Sequence, residues 1–125
     1  MGSSTGPTPA TVELVWERDG GRCARCGAGL QRSARGTGWS LHHRRPRGMG
    51  GSRVGWVNLP PNLVLLCGSG VTGCHGWVES NRAEAIELGW LVSRIGVQTA
   101  AEIPVAYWDG TLRFLDDTGG YTLAA

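Results

Sequence analysis

The spacing of apolar positions changes character several times along the chain. Val12, Val15 and Trp16 recur at helical spacing. Thr8 stands where a cap belongs, Pro9 suits a first helical position, and Asp19-Gly20-Gly21 stops the run, so a helix is expected from residue 9 to about 19. Residues 28–38 are polar and glycine-rich and read as loop. Trp39-Ser40-Leu41-His42-His43 reads as a strand, and Asn62-Leu63-Val64-Leu65-Leu66-Cys67 as a loop end entering a short buried strand. Between them, residues 44–55 are broken by Pro46, Gly48, Gly50 and Gly51 and form a long basic loop. After a turn over 68–73, Cys74-His75 opens a helix expected to reach Leu88, with Gly89 as its stop.

The last third changes period. Residues 90–94 are strand-like. Val105-Ala106-Tyr107-Trp108 and Thr111-Leu112-Arg113-Phe114-Leu115 flank Asp109-Gly110, a hairpin signal, and Tyr121-Thr122-Leu123 supplies a further strand. Residues 1–7 carry no pattern and are expected to be disordered. Trp39, Trp56 and Trp77 are assigned to the core rather than to stacking on nucleic-acid bases.

Composition narrows this to one modest domain in need of reinforcement. Of 125 residues, 21 are Gly and 6 Pro, which favours turns over long helices. No apolar run approaches the roughly 18 residues of a membrane span, and the first ten residues do not resemble a signal peptide. A cytoplasmic location is therefore expected, and in a reducing compartment four cysteines point to zinc rather than to disulfides. Cys23 and Cys26 form a C-x2-C pair, and Cys67 and Cys74 a second, wider one. Four thiolates make a closed structural zinc site. A rival set keeps Cys67 in the core and uses His75 in its place.

Charge adds direction. All 12 basic residues are Arg, and no carboxylate lies between Asp19 and Glu79, a stretch holding eight Arg. From Glu79 onward seven acids face three Arg, a balance of −4. Such polarity suits a protein with one face on an anionic polymer. Within the basic stretch, Arg44, Arg45, Arg47 and Arg53 are the candidates for phosphate contacts.

The order of these pieces is more specific than any one of them. Leu41-His42-His43-Arg44-Arg45-Pro46-Arg47-Gly48, then Pro61-Asn62-Leu63-Val64-Leu65-Leu66-Cys67, then Cys74-His75-Gly76-Trp77-Val78-Glu79 together resemble the HNH endonuclease family, in particular its small zinc-containing phage and actinobacterial members. The resemblance covers roughly residues 20–90. It implies an α+β fold with a ββα-metal core over residues 8–90, stapled by the four-cysteine zinc site, and a C-terminal β-rich extension over 91–125.

By the same resemblance His43 is the general base, His42 and His75 hold a catalytic divalent metal, and Asn62 braces the loop that orients the base, or approaches the metal as in some members. Many members carry a further histidine four residues after the helix histidine; here that position is Glu79, on the same helix face as His75 and so a candidate ligand. Two imidazoles with at most one carboxylate suit Mn2+, Ni2+ or Zn2+ as well as Mg2+. The implied substrate is double-stranded DNA and the implied reaction phosphodiester hydrolysis, by a monomer or weak dimer that does not engage membranes. Two rivals remain: a zinc-knuckle module that binds DNA through the same basic stretch without cutting it, and an accessory protein of phage DNA packaging that meets a terminase subunit, for which the acidic residues 90–125 are the candidate surface.

Overall fold

The computed structural model describes residues 6–46, 55–93 and 96–124. The first helix, α1, spans Pro9–Asp19; the Thr8 hydroxyl accepts from the Thr11 amide at 3.2 Å, and Gly20 ends the helix at φ 66°. Strands β1 (Trp39–His43) and β2 (Leu63–Cys67) pair antiparallel, with Trp39 opposite Cys67 and His43 opposite Leu63. Helix α2 (Gly73–Ser80) follows β2 directly. The chain thus runs strand, strand, helix across residues 39–80.

Strand β2 is the axis of the packing, and its alternation divides two cores. Leu63 and Leu65 face α1 and pack with Val15 and Trp39. Val64 and Leu66 face the other way, into a larger cluster with Cys74, Val78, Ala85, Trp90 and Leu91. Val105, Tyr107 and Leu115 belong to that second cluster, so the C-terminal segment shares the core of the rest of the chain. Its strands β3 (Val105–Ala106), β4 (Leu112–Leu115) and β5 (Tyr121–Leu123) form an antiparallel sheet, with Gly110 at φ 86° in the first turn. Among the described residues no helix is long and apolar enough to cross a membrane.

Several expectations need correction. The helix expected to run from Cys74 to Leu88 breaks at Asn81, separating α2 from α3 (Arg82–Glu87). The Asn81 side chain donates to the Trp77 carbonyl at 2.8 Å, and its backbone leaves helical geometry at ψ 55°; a side chain that satisfies the end of one helix competes with continuing it. Residues 90–93 are not a strand: the Trp90 and Leu91 amides both turn back to the Ala85 carbonyl, and Val92 makes one bond to the Arg44 carbonyl. Residues 28–38 include a short 3-10 turn, Arg32–Ala34. Trp39 is buried and Trp77 half-buried, but Trp56 is 39% exposed. The tail expectation over residues 1–5, and Arg94 in the strand expectation, lie outside the described residues.

The largest correction concerns Arg44, expected to contact phosphate. It is fully buried. Its Nε donates to the Gly89 carbonyl (2.7 Å), one terminal nitrogen to those of Pro61 (2.8 Å) and Ala100 (2.9 Å), and the other to that of Ile103 (2.6 Å). Arg44 therefore ties together the loop before β2, the end of α3 and the approach to β3. Burial pushes its guanidinium down to about 9, still protonated at neutral pH. Replacing it by Met keeps the bulk and strands four carbonyls; a loss of roughly 3–5 kcal/mol in denaturant unfolding is expected. Unchanged stability would show that these bonds are dispensable.

Candidate metal centre

Two clusters of ligating side chains flank α2. The first is made of sulfur. Cys23 and Cys26 sit on a tight turn in which the Cys23 amide donates to the Ala28 carbonyl and the Gly27 amide to the Cys23 carbonyl. Cys67 ends β2 and Cys74 lies in the first turn of α2. The loop between them closes only because of its glycines: a Cβ on Gly68, at φ 88°, would stand 2.1 Å from the Thr72 carbonyl oxygen, and one on Gly73, at φ 59°, would stand 2.7 Å from that of Cys67.

As a result the four sulfurs lie within 4.8 Å of one another, with Cys26 Sγ and Cys67 Sγ 3.8 Å apart and no disulfide formed. A tetrahedral ion with zinc–sulfur bonds of about 2.3 Å needs sulfurs about 3.8 Å apart, so the cluster fits a structural metal such as zinc. Of the two ligand sets left open by the spacing, the structure brings Cys67 into the cluster and His75 into a different one. The Arg25 guanidinium donates to Cys74 Sγ at 3.3 Å and lies over the Trp77 ring at 3.8 Å, a cation beside what would be an anionic thiolate set. Amides of Cys26 and Cys74 point at the sulfurs of Cys23 and Cys67, at 3.5 and 3.4 Å.

The second cluster joins His42 from β1 with His75 and Glu79 from α2, each offering one ligand atom within 4.8 Å of the others. His42 is 2% exposed, and its Nε2 lies 2.7 Å from the Trp90 carbonyl oxygen. A carbonyl only accepts, so Nε2 carries the proton and Nδ1 is the nitrogen left for a metal. Burial, against the opposing pull of that hydrogen bond, pushes His42 down to about 3. The ring is therefore neutral at physiological pH, the state in which imidazole ligates.

His75 stands edge-on to His42, ring centroids 5.1 Å apart. Its Nδ1 is buried without a hydrogen-bond partner, and burial lowers its pKa despite the neighbouring Glu79 carboxylate. A buried polar nitrogen with nothing to bond is costly, and a metal is one group that would satisfy it. Glu79 lies one helical turn on; its Oε1 accepts from Arg82 at 3.0 Å, an exposed pair that a cation would have to compete with.

These groups line an open cavity of about 360 Å³, together with His43, Leu41, Pro46 and Arg82. His43 Nε2 lies 2.8 Å from Asn58 Oδ1, which accepts its proton and fixes the ring. Asn58 escaped the sequence reading; its only signal there was a polar residue shortly before Leu59-Pro60-Pro61-Asn62. Arg82 escaped it too, although it stands three residues after Glu79. Asn62 does not line the cavity. It is 1% exposed, and its side chain accepts from the Arg45 amide (2.7 Å) and donates to the carbonyls of Arg45 (3.1 Å) and Val57 (2.9 Å). It clamps the segment leaving β1 to the turn carrying Asn58.

The basic candidates separate. Arg44 is interior, as described. Arg45 is half-buried, its Nε donating to the Ser93 carbonyl at 3.0 Å and one terminal nitrogen to that of Gln98, with its guanidinium over Trp56. Arg47 and Arg53 lie outside the described residues. Other arginines of the basic stretch rest on rings: Arg22 over Trp108, Arg32 over Trp16 and Arg35 over Trp39. Comparison with known protein families, with characterised proteins and with solved structures finds no match to this chain.

Proposed function

We propose that this chain is a metal-dependent DNA endonuclease of the HNH type, with β1, β2 and α2 as its ββα-metal core and the four cysteines as a structural zinc site. The observation that carries the reading is the meeting of His42, His75 and Glu79 at one open cavity that His43 also lines. A structural histidine has no need of such company, and a module that only binds DNA has no use for it.

In this reading His43 takes the proton from the attacking water, its ring held by Asn58. His42 and His75 present neutral nitrogens, and Glu79 adds the one carboxylate lining the cavity. A bound divalent ion would supply Lewis acidity at a phosphate oxygen and stabilise the leaving oxygen. Arg82, at the cavity wall, offers a cation to the scissile phosphate. With Arg44 in the interior, the grip on the DNA backbone is weaker than the run of arginines suggests, so DNA affinity should be modest and its salt dependence shallow, as for few phosphate contacts.

The test joins metal analysis to plasmid cleavage with added Mg2+, Mn2+, Ni2+ or Zn2+. One tightly held ion and one exchangeable ion are expected, with supercoiled DNA nicked or cut only when the second is present. A His42→Ala/His75→Ala variant should keep the first ion, lose the second and stop cutting. Wild-type protein that binds DNA but leaves it intact under all four metals would overturn the proposal in favour of a non-catalytic binding module.

A further inference from the structure

A second cavity, of about 250 Å³, has Arg45, Trp56, Leu59, Asn62, Thr99 and Asp117 in its wall. We propose that it is a subsite for a single unstacked nucleobase, which lies against Trp56 beside Arg45 while Asp117 accepts from the base's amino edge. The proposal rests on the nuclease reading for its substrate.

Trp56 and Leu59 are each 39% exposed, while Trp39 is buried and Trp77 half-buried. An exposed indole at a cavity mouth is a stacking platform, and every base has a face to stack on it. The Arg45 guanidinium lies 5.5 Å from the Trp56 ring centroid and is held there by the carbonyls of Ser93 and Gln98. Two of its three nitrogens are thus committed, which spoils the fork that grips phosphate and leaves a fixed cationic plane.

Asp117 at the wall repels phosphate and accepts from amino groups, the donors that bases carry and backbones lack. The volume is smaller than that of a drug-sized pocket, about 300–1,000 Å³, which suits one base rather than a whole ligand. Position agrees. His43 and Pro46 line the metal-centre cavity and Arg45, between them, lines this one. The segment leaving β1 therefore contributes to both walls, and in the proposed arrangement a strand whose phosphate meets His43 places a neighbouring base against Arg45. Such a base must be out of the duplex, so the subsite favours single-stranded, frayed or flipped nucleotides.

The test uses the full zinc-loaded chain without added divalent metal. Fluorescence anisotropy reads its binding to a single-stranded oligonucleotide of about 12 nucleotides of mixed sequence, and to a strand of equal length made of abasic residues. The wild type is expected to prefer the base-bearing strand about tenfold. Trp56→Ala should bring that preference close to one without altering binding of the abasic strand or the melting temperature, and Trp56→Phe should restore most of it. A preference that survives in Trp56→Ala, or that the wild type lacks, overturns the subsite. The plasmid assay reads the metal centre separately: base preference without cleavage under any metal sinks the nuclease reading alone, and cleavage without base preference sinks the subsite alone.

Discussion

Replacing Cys74 by Ser is expected to unfold the chain at room temperature, and stripping the metal from the wild type should do the same. Cys74 and Cys23 are buried, and both belong to the larger apolar cluster that holds Val64, Leu66, Val78 and Leu91. The four-cysteine cluster and the core are therefore one structure, drawn from three separated points of the sequence. A structural zinc contributes on the order of 10 kcal/mol, while a whole domain is stable by only about 5–15 kcal/mol. Subtracting the first from the second leaves little or nothing, least of all in a glycine-rich chain whose strands are two to five residues long.

Burial sharpens the expectation. It pushes the Cys23 and Cys74 thiols up, so without a metal both are protonated at neutral pH. The ion must displace those protons, and its hold should weaken as pH falls. Circular dichroism during chelator titration, with zinc content measured in parallel, reads the outcome. A Cys74→Ser chain that keeps its ellipticity and melting temperature with no bound zinc would remove the metal from the account of folding.

What the sequence made legible was what local pattern encodes. Thr8-Pro9 and Gly20 bracket α1, the alternation of Trp39–His43 and the apolar run Leu63–Leu66 become β1 and β2, and Asp109-Gly110 turns between β3 and β4. The four cysteines could be gathered by residue type alone, because few other arrangements use so many. Arg44 shows where this stops. Its neighbours in sequence are Arg45 and Arg47, and a basic run reads as surface; its neighbours in space are carbonyls at positions 61, 89, 100 and 103, which no sequence window contains. Asn58 was missed for the same reason, since its importance lies in one contact with a histidine fifteen residues earlier. Trp56 misled in the opposite direction, as hydrophobicity predicts burial and its ring stands 39% open. Asn81 precedes the good helix formers of residues 82–88, and its side-chain bond to Trp77 ends α2 ahead of them.

His43→Ala should cost about two to four orders of magnitude in DNA cleavage, the usual weight of a positioned general base, and should do so without loss of either ion. That separation follows from the geometry. His43 lines the cavity but stands outside the ligand set of His42, His75 and Glu79, and its Nε2 proton is given to Asn58 rather than left to a metal. Asn58→Ala should be milder, on the order of 10- to 100-fold, as for other residues that orient a reacting group without touching the substrate. Asn58→Asp makes a sharper probe. A carboxylate beside an imidazole favours the charged ring and raises its pKa. The base form of His43 would then appear only at higher pH, so the acidic limb of the pH–rate profile should move upward while the alkaline rate is largely kept. A role in packing alone would lower the rate at every pH and leave the limb in place. Full cleavage by His43→Ala would instead hand the proton to another group at the cavity, and Glu79, the one carboxylate lining it, would become the candidate.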